Sequence, residues 1–334
     1  MHHIFFRIPL CSCFAIAALL SLIFASAGNA QSIWKPNKPV EIVVYTAPGG
    51  GNDKTARLIH KIWQDAKLVD AFVSNKVGGG GAVAYTYTSQ KVGDASVIAI
   101  AQASLLTNQI SGRSPLHYTD VTPLVTLGSE PVVIAVRAES PYKTLKEFMT
   151  QLRKEPGSLS VAVGSTRGAI NHFTIALLAK AAGTDPKLLK IVVFGGGSES
   201  VTNVLGGHVD AMSAAISNAA PHYQAGKMRI LGVSSATRLT AMPEVPTFRE
   251  QGYDVDITGW YILIGAKGLT QPQVAYWENV LQKTMQQDEW KKYGEANSWS
   301  PGGYRNAQDT LAHLRVEYEQ SKALLTELGG IATK

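Results

Sequence analysis

Cysteine is almost absent: the 334 residues include two, Cys11 and Cys13, both inside an N-terminal stretch with the marks of a secretion leader. Without that stretch the chain can form neither a disulfide nor a thiolate metal site. A disulfide-free chain of about 300 residues must be held by its own core, which suits a large exported domain better than a small cross-linked scaffold. Beyond the leader no stretch reaches the ~18 uninterrupted apolar residues of a bilayer span. No run of five like charges occurs, and the net charge of +6 drops by only one when Arg7 leaves. This balance leans mildly toward an anionic partner and lacks the basic stripe with interleaved aromatics that nucleic acid requires. Catalytic signatures are missing as well. There is no Gly-x-Ser-x-Gly elbow and no phosphate loop, and a dinucleotide fingerprint beginning at Gly49 fails at Lys54, where it needs its third glycine. His60, His117, His172, His208, His222 and His313 include no pair at i, i+4 spacing, so neither metal nor cofactor is expected.

What is present begins with the leader. Met1 to Arg7 is short and weakly positive, Phe14 to Ala25 is apolar, and small residues cluster from Ala25 to Ala30. This is the layout of a cleaved signal peptide over residues 1–30, cut after Ala30 or after Ala27, and it predicts an exported, periplasmic protein. Short β-branched runs then recur at intervals too long for hairpins. They are Glu41–Thr46, Ala71–Asn75, Ser96–Ala101, Val132–Val136, Leu159–Val163, Lys190–Phe194, Val209–Ser213, Arg229–Ser235 and Trp260–Ile264. Helical patterns lie between most of them, at Asp53–Ala66, Leu145–Arg153, Asn171–Ala182, Glu199–Leu205 and Ser217–Ala225, and two longer ones follow at Pro272–Gln287 and Ala307–Leu328. Strands alternating with helices predict an α/β class with parallel sheets covered on both faces. The order of strand, glycine loop and helix starts afresh at Leu159, which predicts two similar doubly wound lobes: residues 31–131 with 236–334, and residues 132–235.

Three strand ends run into glycine-rich turns that open helices: Tyr45–Asp53, Val163–Ala169 and Phe194–Glu199. Glycine lets backbone amides approach a ligand closely, and a helix N-terminus offers unpaired N–H groups with a partial positive charge. In open α/β sheets such ends, beyond the carboxyl edge of the strands, are where anions bind. Each turn alone reads equally well as a tight connection, with Asn52 or Asp53 as helix cap. Two such loops facing a shared cleft would hold the two ends of a dicarboxylate. Arg167 can pair bidentately with a carboxylate or point to solvent, Trp260 can wall the cleft or sit in the core, and the run Gly78–Gly81 can pack beside the first loop or form a free turn.

In these residues the chain resembles the substrate-binding proteins of tripartite tricarboxylate transporters, the Bug-type solute receptors. The matching segments include Lys38-Pro39-Val40, Ala47-Pro48-Gly49-Gly50-Gly51-Asn52-Asp53, Asn75 with Gly78–Gly81, Tyr118-Thr119-Asp120-Val121-Thr122-Pro123, Gly195-Gly196-Gly197, Leu205-Gly206-Gly207-His208-Val209-Asp210 and Pro243-Glu244-Val245-Pro246-Thr247. The resemblance implies a type II periplasmic-binding fold whose lobes close on a small organic acid. It further implies delivery to a large and a small integral membrane subunit, a binding role and not an enzymatic one. Carried over residue by residue, it points to Thr46, Ala47, Gly49, Gly50 and Asp53 on one side. Thr166, Arg167, Gly168 and Ala169 face them, with Gly197 and Ser198 nearby. The family's usual aromatic before Ala-Pro-Gly-Gly is Thr46 here, its serine after the second loop's last glycine is Ala169, and Arg167 stands where a small or amide side chain is common. Two other roles fit the same composition, a ligand-binding sensor module and a periplasmic enzyme.

Overall fold

The computed structural model describes His2, residues 34–299 and residues 303–329; apart from His2, the expected leader with Cys11 and Cys13 lies outside the described residues. In chain order the elements are β1 (Val40–Val44), α1 (Gly51–Asp65), β2 (Ala71–Asn75), α2 (Ala82–Ser89), β3 (Val97–Ala101), α3 (Ser104–Ile110), β4 (Thr122–Arg137), α4 (Leu145–Lys154), β5 (Ser160–Gly164) and α5 (Ile170–Ala181). There follow β6 (Lys190–Phe194), α6 (Gly197–Leu205), β7 (Ala211–Ala215), α7 (Ile216–Gln224), β8 (Met228–Val233), β9 (Thr258–Gly265), α8 (Gln271–Gln286), α9 (Asp288–Ala296) and α10 (Ala307–Glu327). Every β-branched run becomes a strand. The helices that the periodicity missed are α2, α3 and α9. In α3 six of seven residues are buried, so no polar face exists to reveal a helical stripe.

β1 lies between β2 and β3, parallel to both, and β5 lies in the same way between β6 and β7. The restart seen in the sequence is therefore a repeated three-stranded unit. Between the units the parallel expectation gives way. β3 pairs antiparallel with β9, β9 with β4, and β4 with both β7 and β8. The sixteen-residue β4 serves both sheets: residues 122–131 pair with β9, and residues 132–137 with β7 and β8. Its first part escaped the sequence pattern because Pro123, Gly128 and Pro131 interrupt it, and the register shifts near the first two.

Both faces of each sheet are packed. On one, Ala56, Ile59, Ile62 and Trp63 of α1 meet Ile42, Val44, Ile98 and Ile100. Trp63 stacks on Trp277 of α8 at 5.6 Å, and its indole N–H donates to Thr284 Oγ1 at 2.7 Å. This bracing holds α1 at a defined height, so the helix start projects beyond the carboxyl end of β1. Among the described residues no helix is long and apolar enough to cross a membrane.

Candidate functional site

In each three-stranded unit the chain reverses its winding at the central strand, and such a switch point leaves a crevice at the carboxyl ends of the strands. The two crevices face one another. Tyr45, Thr46, Gly50, Gly51 and Asn52 follow β1, and Gln102 follows β3. Gly164, Ser165, Ile170 and Asn171 come from the end of β5 and the start of α5, Gly196 and Gly197 from the start of α6, and Ala215 and Asn218 from the end of β7 and the start of α7. Together with Val132, Gly259 and Tyr261 of the crossing strands they line one cleft with about 40 Å³ of free space.

Four helices begin at this cleft. The residues preceding α1, α5, α6 and α7 are Gly50, Ala169, Gly196 and Ala215, and none supplies a capping side chain. Their first-turn amides have no acceptor within the helix, and each start carries a partial positive charge. Among the described residues no lysine, arginine, histidine, aspartate or glutamate lines the cleft, so its electrostatic character comes from backbone dipoles. The two sides almost touch. A Cβ on Gly51 would lie 3.1 Å from the Tyr261 hydroxyl and 3.3 Å from Ser217 Oγ, and one on Gly50 would lie 4.0 Å from the Gly197 nitrogen. Within the second unit, a Cβ on Gly164 would lie 3.1 Å from backbone atoms of Gly196 and Gly197, a close approach that a side chain would oppose.

The polar lining is partly paired and partly unsatisfied. Tyr45 donates to Gln102 Oε1 at 2.6 Å, and Asn52 Nδ2 donates to the same oxygen at 3.0 Å. Burial pushes the Tyr45 phenol up to about 12, so it stays a neutral donor. Thr46 Oγ1, Asn52 Oδ1 and Asn171 Oδ1 are buried without a partner, an uncommon state for buried polar atoms. Ser165 holds a φ of +68°, a conformation costly for a residue with a Cβ, and its amide donates to the Phe194 carbonyl at 2.8 Å.

Of the residues carried over from the resemblance, Thr46, Gly50 and Gly197 line the cleft. Asp53 lies behind it: its carboxylate accepts from the Gly49 amide (2.9 Å), Arg57 Nε (2.8 Å) and Asn75 Nδ2 (2.9 Å). The Gly49 amide is thereby committed to the loop itself. Asn75 Nδ2 also donates to the Thr46 carbonyl at 3.0 Å, so Asp53 and Asn75 shape the first loop without lining the cleft. The second loop departs further from expectation. Arg167 is exposed, and its guanidinium donates to the Ile191 carbonyl at 3.2 Å, outside the cleft. The Gly168 amide donates to His172 Nδ1 at 3.0 Å, an imidazole pushed down to about 4 by burial and by Arg167 and Arg113. Ala169 donates its amide to the Thr166 carbonyl, and Thr166 Oγ1 accepts from Arg113 Nη1 at 2.7 Å. The backbone turns here, with positive φ at Ser165 and Gly168, and aims these groups away. Ala47 and Ser198 flank the lining without joining it.

Trp260 belongs to the core, its indole N–H bonded to Glu317 at 2.9 Å. The next residue, Tyr261, is on the opposite face of the strand and walls the cleft. The Gly78–Gly81 run packs on the second loop, where a Cβ at Gly80 would strike Thr166, and Asn108 Nδ2 donates to the Gly79 and Gly80 carbonyls. Gln102, Asn171, Asn218 and Tyr261 escaped sequence reasoning. The one signal available for Asn171 and Asn218 was their place in the first turn of a helix after a strand.

Two crevices of this kind, facing one another across antiparallel crossing strands, define the fold of periplasmic binding proteins. The family model described as tripartite tricarboxylate transporter family receptor matches residues 61–330, and the chain belongs to that family of solute-binding receptors. It is 25% identical over 78% of its length to BugT of Bordetella pertussis, covering 80% of that protein. Among solved structures, the periplasmic binding protein BugD superposes with a TM-score of 0.81 at 24% identity, over 90% of this chain and 100% of that one. MatC from Rhodopseudomonas palustris, solved with bound malate, gives a TM-score of 0.78 at 25% identity, over 87% of this chain and 100% of that one.

Proposed function

We propose that this receptor works in the periplasm, captures a small aliphatic dicarboxylate by closing its lobes around it, and presents the closed form to the large and small membrane subunits of a tripartite transporter. The observation that carries the reading is the meeting of four uncapped helix starts at a cleft lined by no charged side chain. Partial positive charges brought this close repel one another, and an anion between them removes that repulsion. Closure then follows from differential affinity, because the ligand gains contacts from both sides only when the lobes meet. Two separated groups of amides suit two carboxylates, and the malate held by MatC is an acid of that class.

Thermal melts of the purified protein against a panel of mono-, di- and tricarboxylates test this directly. An anion at a hundred times its dissociation constant should add about 2.7 kcal/mol, a rise in Tm of several degrees. Saturable shifts with four- to six-carbon diacids and none with amines are expected; a flat response to every carboxylate would refute the reading.

The second loop serves closure. Arg113, just beyond α3, reaches from one sheet's side to Thr166 Oγ1 and the Arg167 carbonyl on the other. Arg113→Ala should speed release of the bound anion roughly three- to tenfold, the range for a partly exposed charge-assisted contact. Arg167→Ala should leave affinity within about twofold, as expected for a surface change away from the site. Stopped-flow release rates on the two variants separate these roles.

A further inference from the structure

Glu130 lies on β4 where that strand passes from one sheet to the other: it registers with Gly259 of β9, and Val132 registers with Ala215 of β7. Its side chain is buried. Oε1 accepts hydrogen bonds from the Tyr261 hydroxyl and, at 3.2 Å, from Ser217 Oγ, while Oε2 is buried without a partner. Tyr261 is a wall of the cleft, and Ser217 Oγ stands 3.3 Å from where a Gly51 Cβ would be. The carboxyl is thus one side chain removed from the space between the helix starts.

Around Glu130 the titratable groups are Tyr261 on β9 and Tyr293 on α9, with Tyr45, just after β1, acting on Tyr261 from beyond; burial holds all three phenols neutral. Trp299, whose buried indole N–H favours the ionised carboxyl without completing a hydrogen bond, and Ser217 of α7, which acts through both its hydroxyl and its backbone amide, complete the surroundings. Among the described residues no cation acts on the carboxyl. Burial therefore outweighs the hydrogen bonds and pushes Glu130 up to about 7. An anion in the cleft adds a like charge across Tyr261 in surroundings that exclude water, and two uncompensated negative charges so placed are costlier than one charge and one neutral acid.

We propose that the receptor takes up its anion together with one proton, and that Glu130 is the group that holds it. The inference rests on the anion reading of the cleft. The proton comes from solvent and is bound by the unpartnered Oε2. Above neutrality the ligand-free carboxylate is ionised and must be protonated as the anion binds. By linkage, affinity should fall about tenfold between pH 6 and pH 8.

Calorimetry with malate at pH 8, in buffers of different ionisation enthalpy, measures proton uptake directly. Close to one proton per malate is expected for the wild type and none for Glu130→Gln, whose Kd should be alike at pH 6 and pH 8. Ser217→Ala keeps the carboxyl and removes a hydrogen bond that favours its ionised form, so the midpoint of the affinity–pH curve should move upward. A purely structural role for Glu130 would leave that midpoint in place. Malate binding without proton uptake, or uptake that persists in Glu130→Gln, overturns the proposal. If malate binds neither protein, malate is not this receptor's ligand, and infrared spectroscopy of the ligand-free protein still decides for Glu130. A protonated-carboxyl band that titrates near neutrality and vanishes in Glu130→Gln supports it; absence of the band at pH 6 overturns it.

Discussion

Gly51→Val is expected to weaken anion binding by at least about a hundredfold while leaving the unliganded fold in place. Gly51 is the first residue of α1 and has ordinary helical geometry, with no positive φ, so a side chain imposes no backbone strain, and valine costs no more than glycine in a helix. The obstacle is spatial. The Cβ alone would stand 3.1 Å from a Tyr261 hydroxyl already bound to Glu130 and 3.3 Å from Ser217 Oγ, and the two further methyls must enter the cleft or hold its sides apart. Either outcome removes contacts from both carboxylates, and about 2.7 kcal/mol of loss corresponds to a hundredfold. The check pairs the unliganded melting temperature with titration of the diacid that gives the largest melt shift. An unchanged Tm with lost binding supports the site, whereas retained affinity would remove the start of α1 from it.

Asp53→Ala should cost about 2–4 kcal/mol of stability and weaken binding at least tenfold. The carboxylate is 2% exposed and holds the first loop through Gly49, Arg57 and Asn75. Its removal takes an acceptor from the half-buried Asn75 amide and releases the first loop at the exposed Gly49; the half-exposed Arg57 adds little. Burial opposes the Asp53 charge, but hydrogen bonds from Arg57, the Gly49 amide and Asn75 prevail and hold its pKa below the ordinary 3.8. A carboxyl depressed in this way contributes stability above its unfolded pKa and loses it as pH falls through the folded value. The gap between wild type and Asp53→Ala should therefore be widest near neutrality and narrow on acidification below 3.8. Denaturant titrations at several pH values measure it; a constant gap would show that packing, not charge, accounts for the loss.

Local pattern carried much of the fold. The runs Glu41–Thr46 and Leu159–Val163 were legible because the strands they mark, Val40–Val44 and Ser160–Gly164, are buried throughout, and a strand covered on both faces is apolar at most positions. The face of α1 was legible as Ala56, Ile59, Ile62 and Trp63 because one side of that helix packs on β1 and β3. The first part of β4 was not, since Pro123, Gly128 and Pro131 are residues a strand ordinarily avoids; pairing with β9 over eight positions holds it extended all the same.

The glycine turns before α1 and α6 marked helix starts from sequence but left Asn52 or Asp53 open as the cap of α1; in the structure the helices begin earlier, after Gly50 and Gly196, which have no side chain with which to cap them. Which groups those starts face is a long-range question. Gln102, Asn218 and Tyr261 are ordinary polar residues until the switch points bring the ends of β1, β3, β5 and β7 together. From sequence Arg167 could equally pair with a carboxylate or point to solvent; the turn at Ser165 and Gly168 points it at Ile191. Local sequence pattern thus determined an α/β chain in which strand, glycine turn and helix recur in two similar units. The register of the crossing strands decided which side chains line the cleft and which lie behind it, because contacts between residues far apart in sequence depend on how two sheets meet and not on the local propensities of either.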